Sequence, residues 1–241
     1  NMTDHYRWQR YLDWIQRRGV IKFNGQGFTV DEGKGPDYRD WADAYWWQNT
    51  RQPYYNALTA GDVELFDALY REYAAMIPTL ECRVRAEFGH GGAIWPETAE
   101  AWGCYRPGDW GCDTPPAGPS TNTFIRFHYT GSLELCLMLL DDFAFRANAT
   151  VWSAFGDAVC SRVVTFFDEH FPQNDAGGAM DMFPAQALET WQCADPSARD
   201  ACVTNPSTDI AGLMAVLPRL LALPDALANA SHSCCGRTPS H

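Results

Sequence analysis

Basic residues are scarce in this sequence. It contains 18 lysines and arginines against 30 aspartates and glutamates, which gives a net charge of −12. A surface of that charge repels the phosphates of nucleic acids and the anionic faces of membranes. The composition therefore predicts that the partners include neither nucleic acid nor a membrane surface.

Long apolar runs are missing as well. The densest run, residues 133–140, is interrupted by Glu134 and falls short of the ~20 apolar residues that a membrane span needs. Alternating segments typical of β-strands are also rare, and only 25–30 and 124–127 have the pattern of short strands. These absences exclude a membrane span and a β-sandwich, and they favour an all-α fold.

Cysteine pairs with the close spacing of zinc ligands are absent, although the chain has nine cysteines. So many cysteines are typical of an oxidising compartment. The spacings predict that Cys104 pairs with Cys112 and that Cys193 pairs with Cys202, each closing a local loop.

Three N-glycosylation acceptor motifs begin at Asn1, Asn148 and Asn229, which also indicates secretion. The chain begins with Asn and shows no signal peptide, so we expect its natural start to lie upstream. Extracellular localisation is the prediction.

No metal or other cofactor is predicted. The histidines that could contribute to a metal site, His90, His128 and His170, share no i, i+3 or i, i+4 relation. A lone histidine without such a partner is more often exposed or hydrogen-bonded than metal-bound.

Apolar residues recur at helical spacing in five segments. The first, 3–18, should end at a left-handed Gly19, and the second, 62–77, should be capped by Asp62. The others are 132–145, 151–167 and 209–223.

These helices differ in how much of their surface is apolar. Segment 132–145 is apolar almost all round and is predicted to lie in an inner layer, whereas 151–167 is amphipathic and suits an outer layer. We therefore expect helical hairpins in two layers, with one domain over 1–225 and an irregular tail over 226–241.

Long polar and aromatic connections separate the helices, and loops of this length are usually functional. Within them, aromatic rings lie next to amides, carboxylates or guanidinium groups, as a sugar with apolar ring faces and polar hydroxyls requires. Each cluster also has a structural explanation, namely core packing for the tryptophans or helix capping for the polar residues. The clusters are 23–27, 46–51, 90–97 and 183–189.

The order of these motifs is more specific. Asn-Gly-Gln-Gly, then Trp-Trp-Gln-Asn-Thr-Arg-Gln-Pro-Tyr-Tyr, then Gly-Ala-Ile-Trp-Pro-Glu-Thr resembles an uncharacterised family of secreted (α/α)-barrel glycosidase-like proteins. That family is distantly similar to glycoside hydrolase family 95, the inverting α-L-fucosidases and α-L-galactosidases. The resemblance implies an all-α, incomplete (α/α)₆ toroid that acts on a carbohydrate.

The resemblance also implies roles for individual residues. Glu189 stands where those enzymes have the general acid, and Glu97 stands where a substrate ligand lies, so it is a substrate ligand or an alternative acid. Asn49 matches an asparagine that orients the catalytic water, while Trp47 departs from the family at the position of a second asparagine. The full set expected to hold the sugar is Asn49, Trp46, Trp47, Arg51, His90 and Trp102.

The second catalytic carboxylate of the family is an aspartate far downstream, which we expect beyond His241. A chain without it is expected to be an inactive fragment of the enzyme. Asp209 could substitute, but its position at the start of a helix favours an N-cap.

Two alternatives remain open at this point. A polysaccharide lyase could use the same toroid, with Asn49, Arg51 and His90 neutralising a uronate, because a fold does not determine the reaction. A non-catalytic carbohydrate-binding protein is the other possibility.

Overall fold

The computed structural model describes residues 1–21, 45–103, 123–173 and 178–227. This part of the chain is mostly helical, which confirms the all-α class. None of its helices is long and apolar enough to cross a membrane. The α-helices are α1 Met2–Ile15, α2 Trp47–Thr50, α3 Ala57–Ala60, α4 Glu64–Ala75, α5 Ile77–Phe88, α6 Thr130–Arg146, α7 Ala149–Val151, α8 Asp157–His170 and α9 Ser207–Leu221.

Short elements complete this inventory. A π-helical segment, Trp152–Gly156, joins α7 to α8, so the predicted helix over 151–167 is in fact one longer helical stretch with a π-turn near its start. The 3-10 helices are Gln52–Tyr54, Arg199–Ala201 and Asp225–Leu227.

Two predicted helix ends are wrong. The first helix ends at Ile15 with Gln16 as its right-handed C-cap, and Gly19 is not in the left-handed region. Asp62 does not cap α4, because its carboxylate instead accepts hydrogen bonds from Arg10 and Trp14 of α1. The first helix ends one turn before the glycine that was expected to end it. At the second, a tertiary contact with α1 uses the carboxylate that was expected to cap the helix.

Helix α6 lies at the centre of the core, as its all-round apolar sequence predicted. Leu133, Leu135 and Leu139 are almost completely buried, and α6 contacts α8, α9 and the Trp152–Gly156 segment. Burial of most of its surface explains why α6 is so apolar, and its two carboxylates that reach the surface, the partly exposed Glu134 and the exposed Asp141, lie on one stripe.

Contacts at both ends of α6 fix the directions of its neighbours. At the start of α6, Thr130 bonds to Asp209 at the start of α9. Towards the end of α6, Asp141 pairs with Arg219 near the end of α9. The two helices therefore run in the same direction. Helix α8 runs the opposite way, because its last residue, His170, lies near Tyr129 at the start of α6.

The strand predicted at 124–127 is wrong, since these residues form turns. The strands within the described residues are instead β1, Tyr45–Trp46, and β2, Thr98–Ala99, which pair antiparallel with Trp46 opposite Thr98. Two residues are too few to produce an alternating pattern. The other strand predicted, 25–30, lies outside the described residues.

Disulfide bonds link Cys193 to Cys202, as predicted from their spacing, and Cys136 to Cys160, which the spacing did not indicate. The Cys136–Cys160 bond links α6 to α8 across the core. Cys82 is also disulfide-bonded. The predicted pair Cys104–Cys112 lies outside the described residues.

Gly92 allows the segment that follows α5 to lie directly against α8. Its φ is +84°, and a Cβ there would lie 2.4 Å from the backbone nitrogen of Phe166. The next residue, Ala93, donates a backbone hydrogen bond to the carbonyl of Arg162. This close backbone contact fixes the segment that leads into Glu97.

We predict that Gly92→Ala lowers the free energy of unfolding by roughly 3 kcal/mol or more, because left-handed strain adds to a backbone clash. Gly89 is the matched control, since its φ is +78° and its added Cβ would meet nothing within 4 Å. Gly89→Ala should therefore cost only about 1 kcal/mol. Equal losses in urea denaturation would contradict the packing role of Gly92.

Candidate functional site

The β1–β2 pairing brings together two of the predicted sugar-binding clusters. The backbone N–H of Trp47 donates to the carbonyl of Glu97 at 2.8 Å. The ring of Trp47 lies against Gly131 on α6, where a Cβ would come within 2.8 Å of it. Segment 46–51, segment 90–97 and the first turn of α6 therefore meet at one place.

Glu97 is buried at this junction, with 2% of its surface exposed. Its Oε1 accepts a 2.7 Å hydrogen bond from the backbone N–H of Gln48, whereas its Oε2 has no hydrogen-bond partner among the described residues. Burial raises the pKa of Glu97 to about 8. The Gln48 N–H and Arg51 oppose this rise, and the charges of Glu134 and Glu189 add to it. Glu97 is therefore protonated at neutral pH.

His128 faces the same carboxyl group, with its Nε2 3.8 Å from Oε2 of Glu97. Burial lowers the pKa of His128 to about 4. Both side chains are therefore neutral near pH 7. Although their distance is short enough for an ion pair, the contact is between two uncharged groups. A buried neutral pair avoids the desolvation cost of two charges.

Glu134 is a site residue that the sequence analysis did not identify. It lies in the second turn of α6, where its Oε2 accepts hydrogen bonds from Trp47 Nε1, at 2.8 Å, and from Arg51. About a quarter of its side chain is exposed. The signal was present in the sequence, because a charge within an otherwise apolar run is rarely buried without a paired or functional role.

Glu189 belongs to a third segment that reaches the site. The adjoining Gln186 exchanges hydrogen bonds with the backbone of Phe127, at 2.8 and 3.1 Å, and so docks this loop beside the start of α6. Glu189 is exposed and has a φ of +58°, a left-handed conformation that is costly for a residue with a side chain. Such strained residues concentrate at functional sites.

Hydrogen bonds link Glu97 to Trp47, and Trp47 and Arg51 to Glu134. Glu189 is linked to them by its charge, which adds to the raised pKa of Glu97. We call these five residues the carboxyl cluster.

The other predicted site residues differ in whether they lie beside the carboxyl cluster. Trp46 and Asn49 are half-buried beside the cluster on β1 and α2. Trp102 is 53% exposed and has no contact with the cluster among the described residues. The motif at 23–27 lies outside the described residues.

His90 lies in a different group, against His170. Its Nδ1 must donate to the carbonyl of Gly91, because a carbonyl can only accept. In the neutral ring, Nε2 then accepts from Nδ1 of His170, and Tyr129 donates to the remaining nitrogen of His170. The two histidines, 80 positions apart in sequence, therefore form a directed hydrogen-bond chain.

This histidine pair is not arranged to hold a metal. The two facing nitrogens, His90 Nε2 and His170 Nδ1, share a hydrogen bond at 2.9 Å, so one of them carries a proton and has no lone pair for a metal. Within the described ranges, no group of three or more His, Cys, Asp or Glu side chains could hold a metal ion.

Asp209 does not have the N-cap role expected from its position. Pro206 precedes α9, and Asp209 lies inside the first turn, fully buried, where it accepts a hydrogen bond from Thr130. Burial raises its pKa to about 6. Asp209 therefore joins the starts of α6 and α9 through Thr130, which lies one helical turn before Glu134 on α6.

Comparison with known proteins provides no further information. No protein-family model matches the chain, and no curated protein matches it.

The raised pKa of Glu97 predicts how stability depends on pH. Between pH 4.5, the ordinary value, and about 8 the unfolded chain loses this proton but the folded chain keeps it, so stability falls as pH rises through this window. Glu97→Gln has no proton to lose. The variant should therefore gain stability relative to the wild type from pH 5 to pH 8, by on the order of a few kcal/mol.

The measurement is urea denaturation of both proteins at a series of pH values. Exposed Glu64 provides the control, since Glu64→Gln should leave the difference from wild type nearly constant. A constant difference for Glu97→Gln as well would mean that Glu97 is charged in the folded protein.

Proposed function

We propose that this protein hydrolyses glycosidic bonds at the carboxyl cluster by an inverting acid–base mechanism. The observation that carries the proposal is that three glutamates from separate segments converge in environments that differ sharply. Glu97 is buried and neutral, Glu134 is paired with Arg51, and Glu189 is exposed. Carboxyl groups held in different protonation states are what acid–base cleavage of a glycoside requires.

Glu189 is the proton donor in this proposal, which requires that the bound sugar shields its carboxyl group from water, so that the group is protonated in the complex with substrate. A general acid must reach the leaving-group oxygen, and Glu189 is the most exposed of the three glutamates. Its left-handed backbone directs it from a loop that Gln186 fixes in place. Glu97 is the alternative donor, because it carries a proton at neutral pH. Either role, as acid or as substrate ligand, requires that its buried carboxyl group becomes accessible when substrate binds.

Glu134 is the carboxylate that we assign to the water. Trp47 and Arg51 both donate to its Oε2, which leaves Oε1 to accept a proton from the attacking water. An inverting enzyme needs this water between its two carboxyl groups, which are then ~6.5–9.5 Å apart. If Glu134 does not have this role, another carboxylate is the base, as the resemblance to family 95 implies.

Trp46, Trp47, Asn49 and Arg51 would bind the sugar next to these carboxyl groups. An indole offers an apolar face to the sugar C–H groups, while amide and guanidinium groups bond to hydroxyls. His90 and Trp102 lie away from the cluster in the described residues and would contact only a longer substrate.

The helix directions support an (α/α) toroid as the architecture. In such a ring, inner helices run parallel to one another and outer helices run the opposite way. The parallel pair α6 and α9, with α8 antiparallel to α6, fits two layers of that ring. The carboxyl cluster lies at the N-terminal end of α6, where the loops of one rim would meet.

An extracellular location agrees with this function. The disulfides Cys136–Cys160 and Cys193–Cys202 persist in an oxidising compartment. Asn148 is half-exposed at the start of α7, within an acceptor motif for N-glycosylation.

A lyase is less well supported, because Arg51 is already paired with Glu134 and would have to leave it to neutralise a uronate. Lyase products contain a double bond that absorbs ultraviolet light, and products of hydrolysis do not. Ultraviolet absorbance during digestion of uronate polymers would therefore distinguish the two reactions.

We predict that Glu189→Gln lowers kcat about 10²–10⁴-fold on glycosides with poor leaving groups, and much less on aryl glycosides whose leaving groups need no protonation. Glu134→Gln should lower kcat on both substrate classes, because the water is then not activated. Glu97→Gln should retain more activity than either, since an amide resembles a protonated carboxyl group in shape and charge. Release of reducing sugar measures all three.

Glu64→Gln is the matched control, because this exposed glutamate lies on α4 away from the cluster. Full activity of Glu189→Gln on poor leaving groups, together with loss in Glu97→Gln, would transfer the acid role to Glu97. Full activity of Glu134→Gln would show that Glu134 is not the base.

A further inference from the structure

A cavity lies between α1 and the segment that runs from Gln52 to Leu65. Its volume is about 230 Å³. We call it the α1 cavity, and none of the residues of the carboxyl cluster lines it. Typical pockets for drug-sized ligands are ~300–1,000 Å³, so this cavity has room for one small ligand.

An ion-pair contact holds α1 over this cavity. The carboxylate of Asp62 accepts hydrogen bonds from Arg10 and from Trp14 Nε1, the latter at 2.8 Å. At the other end, the backbone N–H of Ile21 donates to the hydroxyl of Tyr54 at 2.9 Å. Apart from Asp13, the residues of α1 are not buried. The helix therefore spans the cavity between two anchors rather than packing into the core.

The cavity wall contains a buried carboxyl group with spare hydrogen-bonding capacity. Asp13 is 7% exposed, and Gln9 donates to its Oδ1 at 2.8 Å. Among the described residues this is the one hydrogen bond that the Asp13 side chain makes. A buried carboxyl group that uses one of about four acceptor positions can accept further donors from a ligand.

Uncharged amides dominate the rest of the polar lining. Gln9, Gln16, Gln52 and Asn56 face an apolar floor that includes Ile21 and Leu65. The charges of Arg10 and Asp62 neutralise each other, so the cavity carries at most the single negative charge of Asp13 and does not suit an anion. Amide and carboxyl groups over an apolar floor suit a ligand with several hydroxyls and an apolar ring face.

We propose that the α1 cavity binds one neutral monosaccharide unit, separately from the hydrolytic site. Segment 46–56 connects the two places, because Trp47 and Arg51 belong to the carboxyl cluster whereas Gln52 and Asn56 line the cavity. The cavity is therefore an accessory site that retains a glycan near the cluster. Its binding does not depend on whether the cluster is catalytic.

The test is calorimetric titration with a panel of neutral methyl glycosides of hexoses, 6-deoxyhexoses and pentoses. Glu189→Gln is included to prevent turnover, and at the α1 cavity it should bind one glycoside as the wild type does, in addition to any glycoside bound at the carboxyl cluster. Ala60→Phe fills the cavity wall and should remove this one binding event while leaving any binding at the cluster. Thr59→Phe is the matched control, because Thr59 is exposed on the same helix and does not line the cavity.

A second variant covers the case in which Ala60→Phe fails to fold. Asn56→Ala combined with Gln52→Ala removes two exposed cavity amides and should weaken binding about tenfold, as expected for one or two lost hydrogen bonds. Methylammonium is titrated in parallel, to test whether the cavity prefers a small cation. The proposal is overturned if no glycoside binds, if both cavity variants bind normally, or if methylammonium binds and the glycosides do not.

Discussion

The contact on which the rest of the site depends is the clamp between segment 46–51 and Glu97. Trp47 and Gln48 donate successive backbone hydrogen bonds to the carbonyl and the carboxyl group of Glu97. Because the clamp is made by the backbone, it fixes the carboxyl group at a depth where water does not reach it. Burial then keeps the proton on Glu97 near neutral pH. The orientation of Trp47 and Arg51 towards Glu134 follows from the same clamp.

Helices α6 and α8 hold the two segments that form this clamp. Helix α6 contributes Gly131, against which the ring of Trp47 packs, and Glu134, to which it donates. The close approach of Gly92 to α8 holds the segment that leads to Glu97. The geometry of the site therefore depends on the packing of the core, because α6 forms both the centre of the core and one wall of the carboxyl cluster. Loss of packing at α6 would displace the site along with the core.

Much of the helical structure could be predicted from the sequence, because α4, α8 and α9 have clear apolar periodicity and α6 is apolar almost all round. What the sequence did not reveal are contacts between distant segments. The β1–β2 pairing is too short to leave a pattern, and Asp62 has the local features of a helix cap but bonds to Arg10, 52 positions away. For the site, the glutamates Glu97 and Glu189 could be chosen from motif order. Glu134 belongs to no such motif, and in the sequence it only interrupts an apolar run.

The central claim is that Glu97 is a neutral carboxyl group whose proton is held by burial and by the negative charges of Glu134 and Glu189. A carbon-13 NMR titration of the glutamate side-chain carboxyl carbons tests it most directly, with Glu97→Gln used to assign the resonance. The account predicts that this carbon titrates near pH 8, and that Glu134→Gln moves the midpoint downward because one negative charge is removed. A midpoint near the ordinary 4.5, unchanged in Glu134→Gln, would contradict it.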